Sequence, residues 1–97
     1  MKPAVFHAGA AEELWGAAEF YESRSEGLGA RFLDDVEQAL IVIAESPQRW
    51  PVLSGRVRRY LLRPFPYGLL YSELADHIVI LAVMHLHREP GYWKSRL

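Results

Sequence analysis

Apolar positions change their period part-way along the chain. Val5 and Phe6 form a short apolar stretch before Gly9, which predicts a first strand over 3–7. From Ala10 the spacing becomes helical. Ala11, Leu14, Trp15, Ala18 and Tyr21 recur on one stripe, with Glu12, Glu13, Glu19 and Glu22 between them. This pattern predicts an amphipathic helix over 9–24. Gly27-Leu28-Gly29 breaks it, and a second stripe follows through Leu28, Phe32, Val36, Ala39, Leu40 and Ile43. Asp34, Asp35 and Glu37 line its other side. The helix should stop before Ser46-Pro47, because the residue ahead of a proline avoids the helical region. So short a link folds the two helices into an antiparallel hairpin. Both stripes read as core facing a sheet, not as a cofactor box.

The second half has the period of strands. Residues 47–55 read as a loop punctuated by Pro47, Pro51 and Gly55, with Trp50 anchoring it to the core. Residues 56–63 read as a strand, Pro64-Phe65-Pro66 as a turn, and Tyr67 to Leu74 as the next strand. Tyr67, Leu69 and Tyr71 then share one face. After a tight turn at Ala75-Asp76 comes an unbroken apolar run, Ile78 to Met84. Alternation places Ile78, Ile80, Ala82 and Met84 on one face and Val79, Leu81 and Val83 on the other. A strand that is apolar on both faces needs cover on both, which predicts a place in the middle of the sheet. The order is β-α-α-β-β-β, a single α+β domain over 1–97 with the helical hairpin on one face of a mainly antiparallel sheet. Two helices cover one face only. The other is expected to receive an amphipathic segment from a partner.

Composition narrows the setting. Ninety-seven residues that are 51% hydrophobic, with net charge −1, argue for a folded domain rather than disorder. With no cysteine, disulfides and thiolate metal sites are excluded, and a reducing cytoplasm is the expected location. The N-terminus lacks a signal-peptide apolar region, and no apolar run approaches a membrane span. The charge is unevenly spread. Residues 1–47 carry three basic against nine acidic residues, and residues 48–97 carry eight against three. An Arg-rich second half suggests an anionic partner, and equally a solvated strand surface. The near-neutral total argues against tight autonomous DNA binding.

The candidate chemistry gathers where the apolar run ends. His85, His87 and Arg88 follow it, then Pro90-Gly91, Tyr92, Trp93, Lys94 and Arg96; Arg58, Arg59 and Arg63 come from the neighbouring strand. On a strand, His85 and His87 would project from the same face. No third ligand accompanies them, so no metal or other cofactor is expected. Imidazoles suit proton transfer, arginine forks hold phosphate, and aromatic rings stack on bases. Together they make a kit for metal-independent RNA cleavage. The same residues also fit structural work: solvated arginines, histidines capping a strand, and aromatics pinning the tail to the sheet.

With these residues in place, the sequence resembles the RelE and ParE toxins of type II toxin–antitoxin modules across nearly its whole length. The likeness is carried by Ala11-Glu12-Glu13-Leu14 with Tyr21, Gly27-Leu28-Gly29-Ala30-Arg31-Phe32-Leu33, Ser46-Pro47, Val57-Arg58-Arg59, Phe65-Pro66-Tyr67 with Leu70-Tyr71, Val83-Met84-His85, and Arg88-Glu89-Pro90-Gly91-Tyr92-Trp93. The resemblance implies a toxin wrapped and neutralised by a cognate antitoxin in a hetero-oligomer. A RelE-like member would cut mRNA on the ribosome. Arg58, Arg63, His85, His87, Arg88 and Tyr92 would then be catalytic, with Arg59, Trp93, Lys94 and Arg96 touching the RNA or other target. A ParE-like member would poison DNA gyrase without nuclease chemistry. The His85 to Pro90 pattern and the Gly27-Leu28-Gly29 link look closer to that branch. A third reading is an antitoxin-binding module without toxicity of its own.

Overall fold

The helical hairpin forms through specific local contacts. The computed structural model describes residues 1–97. Helix α1 spans Ala8–Arg24 and begins where the His7 ring accepts the Gly9 N–H at 3.0 Å. Helix α2 spans Leu28–Glu45 and has no side-chain cap from its own N-cap residue, Gly27. Glu22 of α1 supplies it instead, accepting the N–H groups of Gly27 and Gly29 at 3.0 Å each. A carboxylate there also suits the positive end of the helix dipole. Gly27 takes φ +84, a left-handed turn that favours glycine. Gly29 is required for another reason: a Cβ there would stand 2.5 Å from the Ala18 carbonyl oxygen, so the two helices touch backbone to backbone.

One five-stranded sheet lies beneath the hairpin, in the order β1-β5-β4-β3-β2. The strands are β1 (Ala4–Phe6), β2 (Val52–Ser54), β3 (Val57–Leu61), β4 (Tyr67–Glu73) and β5 (Ile78–His85). β1 runs parallel to β5, and the other pairs are antiparallel. The α+β class and hairpin-on-sheet arrangement agree with the sequence pattern. Two details differ. Residues 52–54, expected in a loop, add an edge strand through the tight turn Gly55-Arg56. The strand expected over 56–63 is only Val57–Leu61. β5 lies inside the sheet as expected, but the central position belongs to β4.

The two cores reveal a larger departure. Against the helices pack Phe32, Val36, Ala39 and Ile43 with Leu69, Tyr71, Ile78, Ile80 and Val83, and Tyr21, Phe65 and Tyr67 extend this layer as an aromatic cluster. The opposite face holds Val57, Leu70, Leu81, Ala82 and Met84, closed by Trp93. Simple alternation along β5 is therefore wrong. Ala82 and Met84 do not share a face with Ile78 and Ile80. The cause is a β-bulge: Leu70 pairs with Ala82 and Tyr71 with Ile80, leaving Leu81 unopposed. Leu81 and Ala82 then face the same way, and every later residue changes side. The second face is covered by the chain's own tail, where Trp93 is 2% exposed and precedes a 3₁₀ turn, Lys94–Arg96.

Three outcomes test this packing. Gly29→Ala should lower stability by about 1–3 kcal/mol, because the helix contact cannot admit a methyl; urea unfolding measures it, and an unchanged midpoint would contradict the close approach. Trp93→Ala should cost about 3–5 kcal/mol, read the same way, by opening the second face. The Tyr71 hydroxyl donates to the Pro47 carbonyl at 2.6 Å, and burial pushes its pKa up to about 12. Its contribution should be complete below about pH 10, the value for an unfolded tyrosine, and lost as pH rises through 12. Tyr71→Phe should remove that loss from the alkaline unfolding curve followed by circular dichroism.

Candidate functional site

Strand β1 is much shorter than β5, and the site is built where that mismatch leaves off. β1 pairs with β5 only as far as Phe6 opposite Ile80, and His7 N–H closes the pairing on the Ile80 carbonyl at 2.9 Å. Beyond that point side chains take over. Glu13 of α1 accepts the Val83 N–H at 3.0 Å. Arg96 donates to the Leu81 carbonyl at 2.9 Å. Its guanidinium also grips Glu13 with both terminal nitrogens, at 3.0 and 2.9 Å. Arg88 adds a third cationic contact to the same carboxylate at 3.0 Å. Side-chain exposure is only 13% for Glu13 and 16% for Arg96, so these charge-assisted bonds lie in a medium where they are strong. The Glu13 contact raises the Arg96 pKa further. Arg88 lies 3.7 Å from the centre of the Tyr92 ring, a cation–π stack. Burial, then the neighbouring Glu13 charge, pushes the Tyr92 phenol well above its ordinary value.

The ten residues singled out by sequence do not form one cluster. His85 ends β5 on the helix-facing side, edge-on to Tyr67 at 5.1 Å. His87 stands in the turn beyond, so the two imidazoles do not share a strand face. Their rings are 5.3 Å apart, and His85 Nδ1 accepts the His87 N–H at 3.0 Å. Arg58 pairs across from Tyr71 and donates to the Trp50 carbonyl at 2.7 Å. Arg63 is exposed, just past the end of β3. Arg88, Tyr92 and Arg96 belong to the Glu13 cluster. Arg59, Arg88, Trp93 and Lys94 do come together, around a hollow of about 320 Å³ floored by Met84 and Leu86. A second hollow of about 700 Å³, lined by Trp50, Tyr60, Leu62 and Arg63, shares Arg59 and Leu86 with the first. No carboxylate forms an ion pair with Arg59, Arg63 or Lys94. No group of His, Asp or Glu side chains is placed to hold a metal ion.

Residues 4–90 match the family model of the ParE toxin of the type II toxin–antitoxin system, parDE. The chain belongs to the ParE toxin family.

This ParE-family chain is also similar in fold to a solved structure titled as the chromosomal ParDE toxin–antitoxin system from P. aeruginosa. The TM-score is 0.76 at 16% identity, over 90% of this chain and 98% of that one. No curated protein matches the sequence. The family makes the chain a toxin component of a type II module, and membership in a two-component system supports a cognate antitoxin as its partner. No helix is long and apolar enough to cross a membrane.

Within this toxin, Glu13 is the residue that sequence reasoning missed. It looked like one more acidic position beside an apolar stripe. Only the length mismatch between β1 and β5 could have flagged the need for an acceptor there. Removing it should leave two arginines without their carboxylate and the Val83 N–H unpaired. Glu13→Ala is expected to cost about 3–5 kcal/mol, a fall of well over 10 °C in melting temperature for about 100 residues. Thermal unfolding followed at 222 nm measures it, and a shift under about 3 °C would show the cluster to be loosely held.

Proposed function

We propose that this chain is a ParE-like toxin that arrests growth by binding and inhibiting DNA gyrase in the cytoplasm, and that direct binding of its cognate antitoxin in a hetero-oligomer neutralises it. The observation carrying this reading is the way the would-be nuclease residues are spent. RNA cleavage needs a free base, a free acid and cations converging on one phosphate. Here the Tyr92 hydroxyl is buried, and Arg88 and Arg96 are committed to Glu13. Arg58 is committed to a backbone carbonyl, and His85 lies on the opposite sheet face from Arg59. What remains free is apolar surface edged by unpaired cations, the composition of a protein-binding surface.

One observation favours the RelE-like alternative: the two imidazoles lie together at the exposed end of β5, within reach of a ligand there. Purified toxin tested against gyrase supercoiling, and separately against mRNA on ribosomes, separates the readings. Supercoiling should fall while the mRNA stays intact. Cutting of mRNA that His85→Ala or His87→Ala abolishes, with gyrase unaffected, would establish the nuclease instead. A folded toxin that does neither, yet binds the antitoxin, would establish a binding module.

A further inference from the structure

The two hollows share Arg59 and Leu86 in their walls, and we infer that together they form one trough that takes an acidic polypeptide segment in which apolar side chains flank a carboxylate. The inference rests on the reading that an antitoxin binds this chain, and it names where and by what chemistry. Arg59 stands on the divide, lining both hollows. Its neighbour across the sheet is Leu70, on the face closed by Trp93. Arg88 and Lys94 edge the smaller hollow and Arg63 the larger, so both hollows carry cationic groups. Arg88 is already neutralised by Glu13; Arg59, Arg63 and Lys94 have no carboxylate partner.

The floor between them is apolar and open. Leu53, Leu61 and Leu86 are 39%, 48% and 39% exposed. Each hollow is lined by large apolar groups: Met84, Leu86 and Trp93 in one, Trp50, Leu61 and Leu62 in the other. Volumes of about 320 and 700 Å³ accept one or two large side chains each. An occupant complementary to this surface presents apolar groups to both hollows and a carboxylate to Arg59 between them, with further acidic residues over Lys94 and Arg63. Fixed complementary charge gives such a segment its register, and the apolar side chains give it affinity. Nucleic acid fits less well, because its phosphates would match the cations while leaving the apolar floor unfilled, and the chain as a whole carries net charge −1.

The trough is also a built surface rather than a fold of chance, since one wall is the tail that Glu13 clamps. Gly91 and Pro90 line the smaller hollow, and Lys94 N–H bonds back to the Gly91 carbonyl at 3.0 Å.

The test uses the full-length chain and the antitoxin encoded with it. Titration by calorimetry should give a dissociation constant that rises by about 30-fold or more in the doubly reversed variant Arg59→Glu, Lys94→Glu, the loss of roughly 2 kcal/mol or more expected for a desolvated charge pair. Short synthetic peptides tiling the antitoxin should place the binding in a segment of apolar–acidic–apolar order, and Leu86→Asp should weaken the same peptide. Circular dichroism melting confirms that each variant is folded. Undiminished antitoxin binding by the reversed variant would overturn the trough while leaving neutralisation by direct binding in place. Failure of the wild-type chain to bind the antitoxin would overturn both. Arg59-dependent self-association in light scattering, or Arg59-dependent retention of a short RNA with no effect on the antitoxin, would assign the trough to another occupant and overturn the inference.

Discussion

A single carboxylate stands where a longer first strand would have continued the sheet. β1 gives out opposite Ile80, yet β5 runs on to His85, and its backbone polar groups still need partners along that edge. Glu13 accepts from Val83, and Arg96 donates to Leu81 while holding Glu13 in a fork. Helix, strand and C-terminal tail are thereby fastened at one point. The geometry depends on the bulge at Leu81, which switches the residues after it so that Val83 comes to face the helices while Met84 faces the tail.

That clamp makes a three-layer molecule out of a two-layer sequence. The helical hairpin covers one face of the sheet, and a tail of about a dozen residues covers the other through Trp93. Without the clamp the tail would hold on by Trp93 and Tyr92 against the sheet and a few turn hydrogen bonds. With it, Arg88, Pro90, Trp93 and Lys94 are fixed as a wall beside Arg59 and Leu86. The family identifies the molecule as a toxin of a two-component system, and the free surface it presents is a basic and apolar one. Arg88, Tyr92 and Arg96, which looked like chemistry, are engaged in holding that surface together.

Much of this architecture was legible in the sequence, and its limits are instructive. Periodicity made α2 plain, whereas the stripe expected on α1 was only partly right: Trp15 is 57% exposed, and Ala10 and Ala17 are buried in its place. Gly27 with Ser46-Pro47 marked the helix ends within a residue or so. The apolar run of Ile78 to Met84 correctly indicated an interior strand. What alternation could not reveal was the extra residue at Leu81, because every residue around it is apolar and no polar side chain betrays the change of face. The edge strand Val52–Ser54 was hidden for the opposite reason: three residues between Pro51 and Gly55 are too few to show a period. Arg88, Tyr92 and Arg96 looked like chemistry because their types suit it. Their engagement with Glu13 spans about 75 to 83 positions of sequence, a separation that no local pattern can encode.

The most direct test of this account is hydrogen exchange at one amide, that of Val83. If Glu13 stands in for a strand, the Val83 N–H should exchange as slowly as the amides of the β4–β5 ladder, and in Glu13→Gln its protection should fall together with that of the tail amides around Trp93. Rapid Val83 exchange in the wild-type protein, or a tail that keeps full protection once the charge is gone, would contradict the claim that this carboxylate fastens sheet and tail together.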